Sequence, residues 1–148
     1  MKFKRRIAAT LTTAVLAAGM LTAGAGSAQA ATITFKTSAG GGPNGKNFQI
    51  AALRDGKNVG YTYWNGDPIP ELNWPGDAMM VSDIDGDGWG IEATLAPIAR
   101  VATTRGHNAP YDSPWATGNL DEGDTLRLKV CLVRGDAYTC SKYYSVKA

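Results

Sequence analysis

The segment "TLRLKVCLVRGDAYTCSKYY", Thr125 to Tyr144, constrains the fold of this chain more than any other. Apolar side chains alternate up to Val133, "GD" follows Arg134, and a second run resumes at Ala137. A Gly-Asp pair between alternating segments specifies a two-residue hairpin of the primed type, with Gly135 taking the positive φ that such a turn demands. Counting outward pairs Arg134 with Ala137, Val133 with Tyr138, Leu132 with Thr139 and Cys131 with Cys140. The two cysteines, the only ones in the chain, therefore fall opposite each other. Their position is of the non-hydrogen-bonded class, where facing Cα atoms lie closest, so a cross-strand disulfide fits without a bulge. The loop it closes is short, and its stabilisation is on the order of 2–3 kcal/mol.

The same period of two recurs along the chain. "TITFKT", "NFQIAALR", "NVGYTYW", "DAMMVS", "WGIEATLA", "ARVATT", "TLRLKVCLV" and "YTCSKYYSV" alternate between clusters of Gly, Pro and Asp, and no helical pattern competes with them. The expected fold is all-β: a compact antiparallel β-sandwich of about eight short strands, with residues 31–148 as a single domain. Leu126, Leu128, Val130 and Leu132 share one face of the best-patterned strand and are assigned to the core. Three connections are long: a glycine-rich "SAGGGPNGK", a proline-rich "NGDPIPELNWPG", and "RGHNAPYDSPWATGNLDEG", which shows no strand pattern. A connection of this last length is usually functional or packed by its own side chains, and Tyr111 and Trp115 point to packing.

The first 30 residues read as a secretory signal peptide: basic "MKFKRR", an apolar stretch from Ile7 to about Gly24, and "SAQA" before a cleavage expected between Ala30 and Ala31. Secretion to an extracellular compartment follows, with no membrane span after cleavage. Lys2, Lys4, Arg5 and Arg6 account for four of the 15 Lys and Arg. Residues 31–148 therefore carry 11 basic against all 13 acidic side chains, a net of about −2. None of those basic residues forms a run, so nucleic acid is not an expected partner.

Several constellations bear on function. "SDIDGDGWGIE" places Asp83, Asp85 and Asp87 at alternate positions before Gly88, like the first half of a calcium loop. The glutamate that a helix-loop-helix site requires is replaced by Thr94, and the following residues alternate as a strand. The main reading is an Asp-Gly turn in which aspartates bond their own backbone; the alternative is a weak structural calcium site at Asp83, Asp85 and Asp87. No other cofactor is implied. His107 is the sole histidine. Asp112 and Ser113 follow it closely, but there is no nucleophile elbow and both cysteines are committed, so the chain is not expected to be an enzyme. His107 is instead expected to brace the long loop by hydrogen bonding, with Asn108 and Asp112 as partners. Glu71, Glu92 and Glu122 read as single exposed carboxylates. Trp64, Trp74 and Trp115 lie at strand ends or in proline-rich loops, suited to plugging the sandwich or to a flat platform for a sugar ring.

The downstream half, "ATTRGHNAPYDSPWATGNL" running into "EGDTLRLKVCLVRGDAYTCS", resembles a group of small exported actinobacterial proteins. Those proteins carry a signal peptide, a His-Asn-x-Pro-Tyr-x-Ser-Pro-Trp loop and one late cysteine pair. The resemblance spans roughly Gly86 to Tyr144; it implies export, compact β structure and the disulfide, and it supplies no activity. The resulting expectation is a non-catalytic extracellular binding module for a glycan, the cell wall or a protein. Its ligand would be met by His107, Asn108, Tyr111, Asp112 and Trp115. A small secreted hydrolase or an enzyme inhibitor is the alternative.

Overall fold

A computed structural model describes residues 30–41 and 45–148; the segment expected to be a signal peptide lies, to residue 29, outside the described residues. Among the described residues there are ten strands: β1 (Ile33–Gly41), β2 (Asn47–Arg54), β3 (Lys57–Asn65), β4 (Ala78–Asp83), β5 (Gly90–Ala96), β6 (Arg100–Thr103), β7 (Tyr111–Asp112), β8 (Thr125–Arg134), β9 (Ala137–Cys140) and β10 (Tyr144–Lys147). They make two antiparallel sheets. The first runs β1-β2-β3-β4-β7; the second runs β10-β8-β5-β6, with β9 pairing the upper part of the β8 edge that β10 occupies lower down. The one helical element among the described residues is a 3-10 turn, Pro70–Leu72.

The β8–β9 hairpin has the expected register throughout, Arg134 opposite Ala137 and Cys131 opposite Cys140. Gly135 sits at φ 54°. The disulfide joins Cys131 to Cys140 with Cα atoms 4.0 Å apart, in keeping with a non-hydrogen-bonded pair. Leu126, Leu128, Val130 and Leu132 are buried against Ile91, Ala93 and Leu95 of β5 and against Ile50, Ala52, Trp64, Met79 and Val81 of the first sheet. Trp64 is fully buried, and its indole N–H donates to the Lys147 carbonyl at 2.8 Å. That bond satisfies the one polar atom such a side chain carries into a core and ties the two sheets together. The sheets approach closely at Gly60, where a Cβ would collide with Ile91 and with the Ser82 carbonyl; the β2–β3 pairing shifts register beside it.

Two expectations about the strands need correction. "YTCSKYYSV" is two strands rather than one, and the long connection contains β7. At both places a buried hydroxyl stands in for a ladder carbonyl. Ser141 N–H donates to the Val130 carbonyl at 2.8 Å while Val130 N–H donates to Ser141 Oγ at 3.1 Å, and the chain bends there between β9 and β10. Ser113 repeats the device beside β4. Its N–H donates to the Val81 carbonyl at 2.8 Å, and its Oγ accepts from Val81 N–H at 3.1 Å. Thr104 does the same for Ile91, at 2.9 and 2.8 Å. A buried N–H left unpaired is costly, and a short hydroxyl side chain meets it where the strand has already turned away.

Candidate functional site

Because β4 belongs to one sheet and β5 to the other, the aspartate-rich connection between them crosses the open end of the sandwich and is not the turn of a hairpin. Its aspartates order its backbone as expected of Asx turns. Asp83 Oδ1 accepts from Asp85 N–H at 3.3 Å and Asp87 Oδ1 from Trp89 N–H at 2.8 Å, with Gly88 at φ 77°. Asp87 also pairs with Arg54, and Asp85 with Lys57 at 3.0 Å. Two of the three carboxylates named for calcium are thus engaged by cations of the β2–β3 hairpin. No group of three or more His, Cys, Asp or Glu side chains suited to a metal ion occurs among the described residues.

Asp83 stands apart. It is only 3% exposed and has no cationic partner among the described residues. Burial, followed by the nearby carboxylates Asp87 and Asp85, pushes its pKa above the ordinary carboxylate value, against the lowering effect of the Asp85 N–H.

Asp83 lines a cleft of about 610 Å3 at this end of the sandwich. Three connections meet there. Asp83, Asp85 and Trp89 come from the crossover, Arg105, His107 and Asn108 from the start of the long connection, and Arg134 and Gly135 from the β8–β9 turn. Asp83 and Asp85 of the residues singled out for a cation, and His107 and Asn108 of those singled out for a ligand, therefore line one space. Trp89 is half-buried and packs on the core, with the Arg54 and Arg134 guanidinium groups 5.0 and 6.0 Å from its ring centre. Arg105 is held by Glu92 at 3.0 Å and by the Gly135 carbonyl at 2.8 Å. Its Nη2 is buried without an acceptor among the described residues.

The five expected ligand residues separate into two places. His107 and Asn108 are exposed at the cleft. The His107 ring is not braced by a hydrogen bond from Asn108 or Asp112; it stacks on Tyr111, centroids 3.8 Å apart and planes 4° from parallel. Tyr111 thus backs the cleft wall from β7. Trp115 goes elsewhere, to the outer side of the first sheet, where it meets Tyr63 at 6.4 Å and Trp74 at 5.5 Å. Its segment pairs with β4 through Met79 and Ala116, at 3.1 and 2.8 Å. Asp112 is exposed on β7 opposite Ser82. Tyr111 and Trp115 make no shared flat platform. Ser113 Oγ donates to the Pro114 carbonyl at 3.0 Å and accepts from Val81, so it is not aligned with His107 as a nucleophile would be.

Arg105, Arg134 and Trp89 were not named as site residues by the sequence. Trp89 opens the alternating segment "WGIEATLA"; only its place just before β5, at the mouth of the sandwich, brings the ring to the cleft. Among the described residues no helix is long and apolar enough to cross a membrane. No protein-family model, no curated protein and no solved structure matches the chain.

Proposed function

We propose that this chain is a secreted, non-catalytic binding module whose end cleft receives a neutral, hydroxyl-rich ligand, a sugar unit of an extracellular or cell-wall glycan. The observation that carries the reading is the convergence of three connections on one cleft. Its volume falls in the range of small-ligand sites, roughly 300–1,000 Å3. The lining offers acceptors at Asp83 and Asp85, donors at Arg105 and Arg134, and groups of both kinds at Asn108 and His107. A hydroxyl both donates and accepts, so a polyol suits a mixed wall of this kind better than a ligand of single charge. Trp89 supplies the one large apolar surface. The disulfide fits an oxidising compartment, and the apolar, basic-headed segment before Ala30 supports export.

The hydrolase alternative draws no support from this geometry, since Ser113 Oγ is bonded to Val81 N–H and the Pro114 carbonyl and not to His107. An inhibitory loop draws little, because residues 111–116 lie along β4 rather than projecting from it.

The test is a binding screen of neutral oligosaccharides and cell-wall polysaccharide against the purified, disulfide-bonded protein, with Asn108→Ala and His107→Ala as variants. Both residues are exposed, so both variants should melt like the parent. Each is expected to weaken binding about tenfold, the equivalent of one lost hydrogen bond or packing contact of about 1.4 kcal/mol. A screen with no neutral ligand, or a ligand indifferent to both substitutions, rejects the reading.

A further inference from the structure

Charge is segregated along the chain in a way that its small net value hides. Residues 125–148, which form β8, β9 and β10, contain Arg127, Lys129, Arg134, Lys142 and Lys147 against the single acid Asp136. Residues 31–124 hold the other six basic and twelve acidic side chains. The terminal three strands are thus a cationic unit on an otherwise acidic body.

The fold sets part of that charge on one surface. Along β8 the even-numbered side chains enter the core, so Arg127 and Lys129 face outward from the second sheet, with Cys131 next in line. Their cross-strand neighbours on that face are neutral, Ala96 and Ser145 beside Arg127 and Thr94 beside Lys129. The row continues from Thr94 to exposed Val101. Beside the disulfide, Glu92 is the acid on the face, and Arg105 neutralises it at 3.0 Å.

What holds Arg127 and Lys129 differs from what holds the cations of the β2–β3 region. Lys46, Arg54 and Lys57 are each neutralised by a carboxylate. Arg127 and Lys129 have no acidic partner among the described residues; both lie over the ring of Tyr143, at 5.2 and 5.1 Å. Arg105 also lies 4.9 Å from the Tyr138 ring, although its charge is matched by Glu92. A π face orients a cation at a gain of about 0.5–1 kcal/mol when exposed, and it leaves the charge in place. Tyr138 and Tyr143 are themselves 58% and 41% exposed, so the face offers rings and cations together.

We propose that this outer face of the second sheet docks an anionic polysaccharide, a chain whose sugar rings carry carboxylate or phosphate groups. Alternate residues of a strand are about 6.6 Å apart, which places successive cations at a separation on the scale of one sugar ring, and phenol rings suit the apolar faces of sugars. A single-stranded nucleic acid calls for a deeper basic groove with several stacking rings, and a membrane calls for a larger apolar area. This inference does not depend on the cleft.

The experiment measures affinity of the purified, disulfide-bonded protein for polygalacturonate and for a phosphorylated mannan, with neutral dextran as control. Binding to at least one acidic polymer and not to dextran is expected, weakening about tenfold or more between 50 and 200 mM salt as released counterions require. The two polymers distinguish carboxylate from phosphate. Arg127→Ala/Lys129→Ala should weaken binding at least about tenfold, while Arg127→Lys/Lys129→Arg, which keeps the charge, should restore most of it. Asn108→Ala, in the cleft, should leave acidic-polymer binding unchanged, which separates failure here from failure of the cleft reading. Retention no better than dextran, an unaffected double alanine variant, or equal affinity for oligothymidylate or for vesicles of anionic phospholipid would overturn the proposal.

Discussion

On the outside of the first sheet, Trp74 and Trp115 lean over Tyr63 with ring centres 5.1 and 6.4 Å away, and Asn47 donates to the Tyr63 hydroxyl at 3.1 Å. On the outside of the second, Tyr138 and Tyr143 lie open with cationic side chains against them. The difference comes from connection length. Residues 66–77, between β3 and β4, and the segment after β7 are long enough to fold back over the first sheet as a roof. The second sheet is joined by short links, residues 97–99, 135–136 and 141–143, which have nothing to spare for covering it. One set of aromatic residues is therefore structural and the other is available, although composition does not distinguish them.

The largest expected effect lies in the roof. Trp115→Ala should cost about 2–3 kcal/mol in urea unfolding, less than a fully buried tryptophan because the ring is half-covered, whereas Tyr143→Ala should cost under about 1 kcal/mol. Equal losses would abolish the distinction between the faces. Next, replacing both Cys131 and Cys140 by serine should lower stability by about 2–3 kcal/mol; the cleft and the cationic face both depend on the β8–β9 hairpin, so ligand binding to each is the second readout. Ser113→Ala removes the acceptor for Val81 N–H under the roof and should cost about 1–2 kcal/mol, measured the same way.

A pH effect follows at the end of the sandwich. Burial raises the Asp83 pKa, so the folded chain holds that proton more tightly than the unfolded chain does. Stability is lost as pH rises from the ordinary carboxylate value through the raised one, and the penalty persists above it. Asp83→Asn, which keeps the acceptor for Asp85, should therefore melt higher than the parent at pH 7, and the gap should close below the ordinary carboxylate range. A gap of constant size across pH would rule out ionisation as its cause. Smallest of all, Arg127→Ala/Lys129→Ala should shift unfolding by no more than about 0.5 kcal/mol; a larger loss would mean that the open face is structural after all.

The aspartate loop and the histidine loop show where reading from sequence stops. Each could be recognised as special, and the Asx-turn bonding of Asp83 and Asp87 followed from residue type alone. That they face one another across a single cleft depends on β4 and β5 belonging to different sheets, which no local pattern encodes. The hydroxyls of Thr104, Ser113 and Ser141 were invisible for a similar reason: a serine that completes a ladder differs from a surface serine only in what lies opposite it. Trp115, expected among the ligand residues because of its loop, packs with Tyr63 and Trp74 away from the cleft, a position that no local pattern encodes.

The all-β class, the Gly135 turn, the register of the last hairpin and the pairing of Cys131 with Cys140 were determined by the sequence by itself. Each follows from period-two alternation and turn chemistry acting over ten or so residues, where few geometries compete. Tertiary structure alone decided which outer face is roofed, which cations keep their charge, and which residues meet at the open end. Those depend on contacts between segments far apart in the chain, Trp64 with Lys147 or Lys46 with Glu122, whose partners are selected only when the two sheets close on a common core.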